Sequence, residues 1–144
     1  MPKSTSASNS ILALIFNATA WTKIADNASS TPYTNLYLGL HTADPGVGGS
    51  QGTNETSYTN YVRVAVARTT GGWDAPASGA TQNAALVQFA QCGASGATIT
   101  HVSIGTESGG GSTVLYAGAL SSSLTVANGI QPQFAAGALD VTES

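Results

Sequence analysis

The chain has 144 residues, only four of them Lys or Arg and seven Asp or Glu, for a formal net charge of −3. About half of all positions are Ala, Gly, Ser or Thr, far from average usage. So few cations exclude a phosphate-gripping surface and an electrostatic membrane patch, and no apolar run nears the roughly 20 residues of a membrane span.

Residues 1–9 are small, polar and aperiodic, which predicts a flexible arm. Ser10 can cap a short helix whose apolar stripe is the i,i+4 pairs Ile11/Ile15 and Leu12/Phe16. Lys3, the run 11–16 and Ala18-Thr19-Ala20 imitate a secretory leader, but the run is too short and Asn17 ends it, so a packed helix is the better reading. The sequons at Asn17, Asn27 and Asn54 are what a chain rich in Ser, Thr and Asn produces by chance. The run 27–31 and Pro32 then separate the helix from the first strand.

From there the period becomes two. Leu36, Leu38 and Leu40 alternate with Tyr37, Gly39 and His41 as a half-buried strand, closed by the turn Asp44-Pro45-Gly46. Residues 46–57 form a polar loop. Val62, Val64 and Val66 give a second strand with Tyr61 and Arg63 on its other face; residues 69–83, with Trp73, form another loop. Ala85, Val87 and Phe89 mark a third strand, and Thr98, Thr100, Val102 and Ile104 a fourth. A glycine-rich loop at 108–112 leads into Val114, Tyr116 and Leu120. Leu124 and Val126 precede Asn128-Gly129, which predicts a type I′ hairpin, and Ile130–Phe134 returns as an edge strand because it contains Pro132. Leu139 and Val141 close the series.

Seven or eight short strands and one N-terminal helix predict an all-β fold, an antiparallel two-sheet sandwich of jelly-roll type, as a single domain over 10–144 behind the arm 1–9.

No constellation here predicts catalysis. Gly48-Gly49-Ser50-Gln51-Gly52 matches a nucleophile-elbow string, but it lies in a polar loop with no helix after it. His41 and His101 with Asp44 or Glu55 could supply three metal ligands, yet no pair has ligand spacing. Cys92 is the only cysteine, so no internal disulfide forms, and it reads as a small buried filler. The glycines at 109–111 lack the Lys-Ser/Thr of a phosphate loop. Trp73, Tyr33, Tyr58 and Tyr61 could form a sugar platform, though aromatics in small sandwiches are more often core plugs or interface anchors. The expectation is a non-enzyme with no catalytic, metal or cofactor residues and no nucleic-acid or membrane partner.

Several segments resemble a family of small tailed-bacteriophage virion proteins, often labelled tail-fibre-like. They are Leu36–Gly46 (LYLGLHTADPG), Tyr61–Arg68 (YVRVAVAR), Thr100–Thr106 (THVSIGT), Leu115–Leu120 (LYAGAL), Asn128-Gly129 and Phe134–Val141 (FAAGALDV). The resemblance runs from about Ile11 to Thr142, and their order and spacing make it specific. Size and composition are also similar to a jelly-roll cement protein that coats the head of a Bordetella phage. The resemblance implies a virion structural role without catalytic residues. The leading expectation is a capsid cement, or decoration, protein on the outer surface of the capsid, assembled in the host cytoplasm. It would bridge major capsid protein subunits and self-associate as a homodimer; the alternative is a tail-fibre or tail-tip component that binds a host receptor.

Overall fold

The computed structural model describes residues 1, 3–16, 20–25, 31, 33–78 and 80–142. In chain order the elements are α1 (Thr5–Phe16), β1 (Asn35–His41), β2 (Val64–Ala67), β3 (Ala80–Gln82), β4 (Val87–Gln88), β5 (Ala97–Gly105), β6 (Val114–Val126), β7 (Gln133–Phe134) and β8 (Asp140–Thr142). The fold is an all-β sandwich with one short helix. One layer is an antiparallel four-stranded sheet, β2-β1-β5-β6. Facing it are two short antiparallel ribbons, β3-β8 and β4-β7, in place of a second continuous sheet.

The core fills the space between the layers. Leu38 and Leu40 of β1 and Val102 and Ile104 of β5 point inward, register partners in pairs, and meet Val87, Phe89, Leu139 and Val141 from the ribbon side. The inward row is set by period two, and each buried Leu or Ile contributes about 1.5–3 kcal/mol. Phe89 sits at the junction of the aromatics, stacked 6.2 Å from Tyr61 and edge-on to Phe134 at 6.3 Å.

Several local expectations are corrected. The described residues of 1–9 do not form an arm. Ser4 N–H donates to the Leu115 carbonyl (2.8 Å), and Lys3 bridges Tyr116 on the edge of β6. Ser4, not Ser10, caps the helix: its Oγ accepts from Ala7 N–H at 3.1 Å, and both residues are buried. A polar, aperiodic stretch can still be ordered when a sheet edge offers it backbone partners. The sequons at Asn17 and Asn27, the triplet 18–20 except Ala20, the run 27–31 except Thr31, and Pro32 lie outside the described residues.

β1 is covered on both faces at its far end, because Gly39 and His41 are buried as well as Leu38 and Leu40. β2 is shorter than its valine pattern: Val62 is 61% exposed, and Tyr61 turns into the core. In β5 the alternation changes phase at Thr100, where the register slips. Ile99 is therefore fully buried with Val102 and Ile104, while Thr98 faces out. Opposite that slip, Leu120–Ser123 of β6 have no partner in β5, so β6 bulges in the middle. The loop 69–83 hides β3, whose partner β8 lies some 60 residues on.

Asn128-Gly129 does not make a type I′ hairpin. Only Gly129 has positive φ (85°), and Ile130 N–H donates to the Ala127 carbonyl at 2.9 Å, the features of a type II turn. The chain leaves β6 there and crosses to the other layer. Cys92 N–H donates to Ile130 O, Phe89 N–H to Pro132 O, and β7 pairs with β4.

Removal of the Ser4 hydroxyl by Ser4→Ala is expected to lower stability by about 1 kcal/mol, and deletion of residues 1–4 by more. Urea unfolding midpoints measure both; an unchanged midpoint in the truncated chain would restore the free-arm reading.

Candidate functional site

The sheet's outer face carries a buried polar layer where a sandwich commonly meets water. β1 supplies Gly39 and His41 to it, and β5 supplies Ser103 and Gly105; Gly39 lies directly opposite Ser103. Small side chains leave room for the loop 42–57 to settle on the sheet. The loop is pinned at its ends: Asp44 Oδ1 accepts from Gly46 N–H (2.8 Å), and Thr56 N–H donates to Leu40 O (2.9 Å). This places Gln51, fully buried, above Gly105. A Cβ on Gly105 would overlap the Gln51 amide, so glycine there is what admits the side chain.

From Gln51 the layer reads as one directed chain of hydrogen bonds. Gln51 Nε2 donates to Tyr37 O (2.8 Å) and to Ser103 Oγ (3.1 Å). The Thr53 carbonyl can only accept, so His41 Nδ1 carries the hydrogen of that 2.9 Å bond. His41 Nε2 then accepts from the Ser103 hydroxyl at 2.8 Å. Burial is the main reason that the His41 pKa lies below its ordinary 6.5, so the ring is neutral. On the other side, Gln51 Oε1 accepts from the Ser112 hydroxyl (2.8 Å) and from Arg63 Nη1 (3.2 Å).

Arg63 is the centre of the layer. Its side chain is 2% exposed and pairs in two-pronged fashion with Glu55, Nε to Oε1 and Nη2 to Oε2, both at 2.7 Å. Nη2 also donates to Gly110 O (2.6 Å), and Nη1 to Glu107 O (3.1 Å) and Ser112 Oγ (2.9 Å). The bond to Glu55 raises the Arg63 pKa, so the guanidinium stays charged. Tyr61 completes the cluster. Its hydroxyl donates to Glu55 Oε1 (2.8 Å) and accepts from Leu40 N–H (3.0 Å), filling the place a longer β2 would have taken. Burial raises the Tyr61 pKa strongly, so it remains a phenol.

The candidate residues read from sequence are scattered by this arrangement. Ser50 bridges Thr113 in a turn, and His41, whose nitrogens are taken by Thr53 and Ser103, does not reach it. His41 and His101 are cross-strand partners, but His101 Nδ1 bonds Thr100 Oγ1 (2.8 Å), and Glu55 is committed to Arg63 and Tyr61. Among the described residues no three His, Cys, Asp or Glu side chains are grouped to hold a metal. Cys92 is buried in the core, its thiol 3.4 Å from Ser95 O. The glycines at 109–111 are part of the loop that Arg63 holds.

The four aromatics do not form a platform. Tyr58 and Tyr61 pack edge-on in the core at 5.3 Å, with the Tyr58 hydroxyl on Ala90 O and its pKa pushed up by burial to about 12. Trp73 packs against the same core, and Tyr33 donates to Glu107 Oε1 at 2.8 Å. Sequence reasoning missed the Arg63–Glu55–Gln51–Ser103 layer. Its one visible signal is an arginine inside an apolar run (YVRVAVAR) of a chain nearly free of charge. The chemistry on this face is positional: ring nitrogens, carboxylate and guanidinium are all bonded to the chain itself.

Arg63→Ala is expected to destabilise the protein by about 3–5 kcal/mol, because it leaves Glu55 and the loop carbonyls without a partner. Urea unfolding measures it. The neutral His41 has a separate signature. An unfolded chain binds its proton near pH 6.5 and the folded one only at lower pH, so His41's contribution is complete above pH 6.5 and falls as the pH drops from there. The loss is at most about 1.4 kcal/mol per pH unit for one proton. Unfolding at pH 7.5, 6.5 and 5.5 should show this slope in the wild type and a flatter one in His41→Gln; equal slopes would assign it elsewhere.

No curated protein matches the chain. A protein-family model does, over residues 2–142, which takes in every strand of the sandwich and the polar layer. The chain thus belongs to the family described as Podophage GP4 fiber I protein gp80, and is a bacteriophage structural protein.

Proposed function

We propose that the chain is a packing subunit of an external fibre on a short-tailed phage particle, holding to its neighbours by fitted, uncharged surfaces and catalysing nothing. The observation that carries this reading is the match to a fibre family over nearly the whole chain. The use of charge supports it. Arg63 is buried in the polar layer, Arg68 donates to the carbonyls of Lys23, Ile24 and Tyr33 at 2.7–3.0 Å, and Lys23 lies over the Tyr33 ring at 5.2 Å. Cations engaged this way do not present a patch for nucleic acid or lipid. What faces outward is mainly hydroxyls, amides and methyl groups.

A second reading, head cement, is favoured by shape. The strands close into a compact sandwich and the described residues contain no extended shaft. On that reading the subunit binds the outside of the assembled capsid, bridges major capsid protein subunits and stabilises the lattice by mass action. Several modest contacts per subunit would raise the effective concentration for the rest.

Gold-labelled antibody against the chain, applied to intact particles, separates the two. The fibre reading expects label at discrete appendages on the tail, and label spread over the head facets would replace it with cement. Either attachment is expected to persist in high salt, because few exposed charges are available to screen. Release of the subunit by salt alone, assayed by sedimenting the particles, would show that charged contacts hold it.

A further inference from the structure

The loop 42–57 lies over the sheet like a strap, and one titratable ring stands at its root. His41, the last residue of β1, is wholly buried. Its backbone bridges Glu55 of the returning loop on one side and pairs with His101 of β5 on the other. Its ring reaches from strap to sheet: Nδ1–H donates to the Thr53 carbonyl, and Nε2 accepts from Ser103. Two backbone bonds hold the same stretch, Gln51 N–H on Ser112 O and Thr42 N–H on Asn54 O, both at 2.9 Å. Gly52, Thr53 and Asn54 themselves are exposed, so the strap covers the polar layer without belonging to the apolar core.

This ring has no place for a second proton. The Thr53 carbonyl fixes the hydrogen on Nδ1, and Nε2 is an acceptor already in use. A hydrogen on Nε2 would point at the Ser103 hydroxyl hydrogen. If the hydroxyl turned away, Ser103 Oγ would accept from both His41 and Gln51 while its own hydrogen lost its acceptor. The charged groups around the ring come from every side. Glu55 of the loop favours a proton, whereas Arg63, just before β2, and His101 of β5 oppose one, and burial opposes it most. Glu55 already takes two bonds from Arg63 and one from Tyr61, which stays a phenol. Asp44, on the same loop, is exposed and holds Gly46 N–H. An imidazolium would therefore be a second cation drawing on one carboxylate.

We propose that His41 is the latch of an acid-sensitive strap: on taking up a proton it frees Gln51–Asn54 from the sheet, while the inner apolar core stays closed. Glu55 and Thr56 stay anchored by Arg63 and Leu40 O, so the opening is local. The sign follows from linkage. In the closed strap His41 holds a proton only below the ordinary 6.5, and in the open one water restores that ordinary value. Above pH 6.5 both forms are neutral and the latch is shut. Below it the open form binds the proton first, so opening grows as the pH falls, by up to about tenfold per unit. A chain that only unfolded as a whole would show the same slope in global stability but no separate opening of the strap.

Amide hydrogen exchange of the full-length chain by NMR, corrected for intrinsic rates, tests it at pH 7.5, 6.5 and 5.5 in a series of low urea concentrations. The amides of Thr42 and Gln51 are expected to exchange through an opening that low urea does not promote, because little surface is exposed. Its equilibrium constant should rise severalfold, up to about tenfold, between pH 7.5 and 5.5. The amides of Phe89 and Cys92, bonded to Pro132 O and Ile130 O, should exchange only through urea-sensitive unfolding. His41→Gln should abolish the rise at Thr42 and Gln51, and His101→Gln should keep it. Should His41→Gln fail to fold, Ser103→Ala carries the test: without the hydroxyl that the neutral ring accepts, the rise should shrink. Exchange of Thr42 and Gln51 only by urea-sensitive unfolding, or an opening constant indifferent to pH, would overturn the assignment. So would a rise that survives His41→Gln, stays undiminished in Ser103→Ala or is lost in His101→Gln.

Discussion

Each of the three nitrogens of Arg63 donates inside the protein, in a place where its side chain is almost shut off from water. A buried guanidinium is costly to desolvate, by several kcal/mol per ion, and it is stable only where geometry and partners are complete. Here they are: the planar fork meets the Glu55 carboxylate with two parallel bonds, the remaining Nη2 hydrogen takes the Gly110 carbonyl, and the two Nη1 hydrogens are shared among the Glu107 carbonyl and the side chains of Ser112 and Gln51. Those partners come from the loop 42–57 and the loop 107–112. One side chain thus fastens both loops to the sheet. Lysine, a point charge with three donors, could not make this set.

The consequence is a sheet with two buried faces of opposite character. The inner face is held by apolar area, which is tolerant of direction. The outer one is held by hydrogen bonds from Gln51, His41, Ser103 and Ser112, which are not. Partial satisfaction would be worse than an apolar layer, because each unpaired buried group carries its full desolvation cost. The layer therefore specifies one position for the loop 42–57, including Gly105 as the only residue small enough beneath Gln51. Of the four Lys and Arg in the chain, Arg63 is buried in this layer and Arg68 ties the carbonyls of Lys23, Ile24 and Tyr33 to the end of β2.

Much of the fold is legible from period alone. The inward rows Leu38/Leu40, Val102/Ile104 and Leu139/Val141 lie where alternation puts them, because alternation is a local consequence of strand geometry. What fails depends on contacts distant in sequence. The phase change at Thr100 arises from a bulge in β6, the docking of Lys3 and Ser4 from an edge over 100 residues away, and β3 from pairing with β8. Asn128-Gly129 is a turn, as its residues indicate, but not a hairpin, since the strand after it pairs across the sandwich with β4. The polar layer is nearly invisible in sequence: Gln51, Ser103 and Ser112 are ordinary residues for this composition, and only Arg63 in an apolar run stands out.

On the proposed role as a packing subunit, rigidity and scarcity of charge together bear on assembly. Neutral surfaces gain no electrostatic steering, so encounter proceeds at an unassisted rate, on the order of 10⁵–10⁶ M⁻¹s⁻¹, and affinity must come from slow release. Slow release in turn requires that little ordering entropy be lost on contact, since each side chain or loop frozen at an interface subtracts from the binding energy. The Arg63-centred layer meets that requirement before any partner arrives, because loops that would otherwise be long and glycine-rich are already fixed to the sheet. A protein held to its neighbours by shape has more need of internal polar scaffolding than one held by charge, and in this chain the Arg63–Glu55 pair is spent on that scaffolding rather than on the surface.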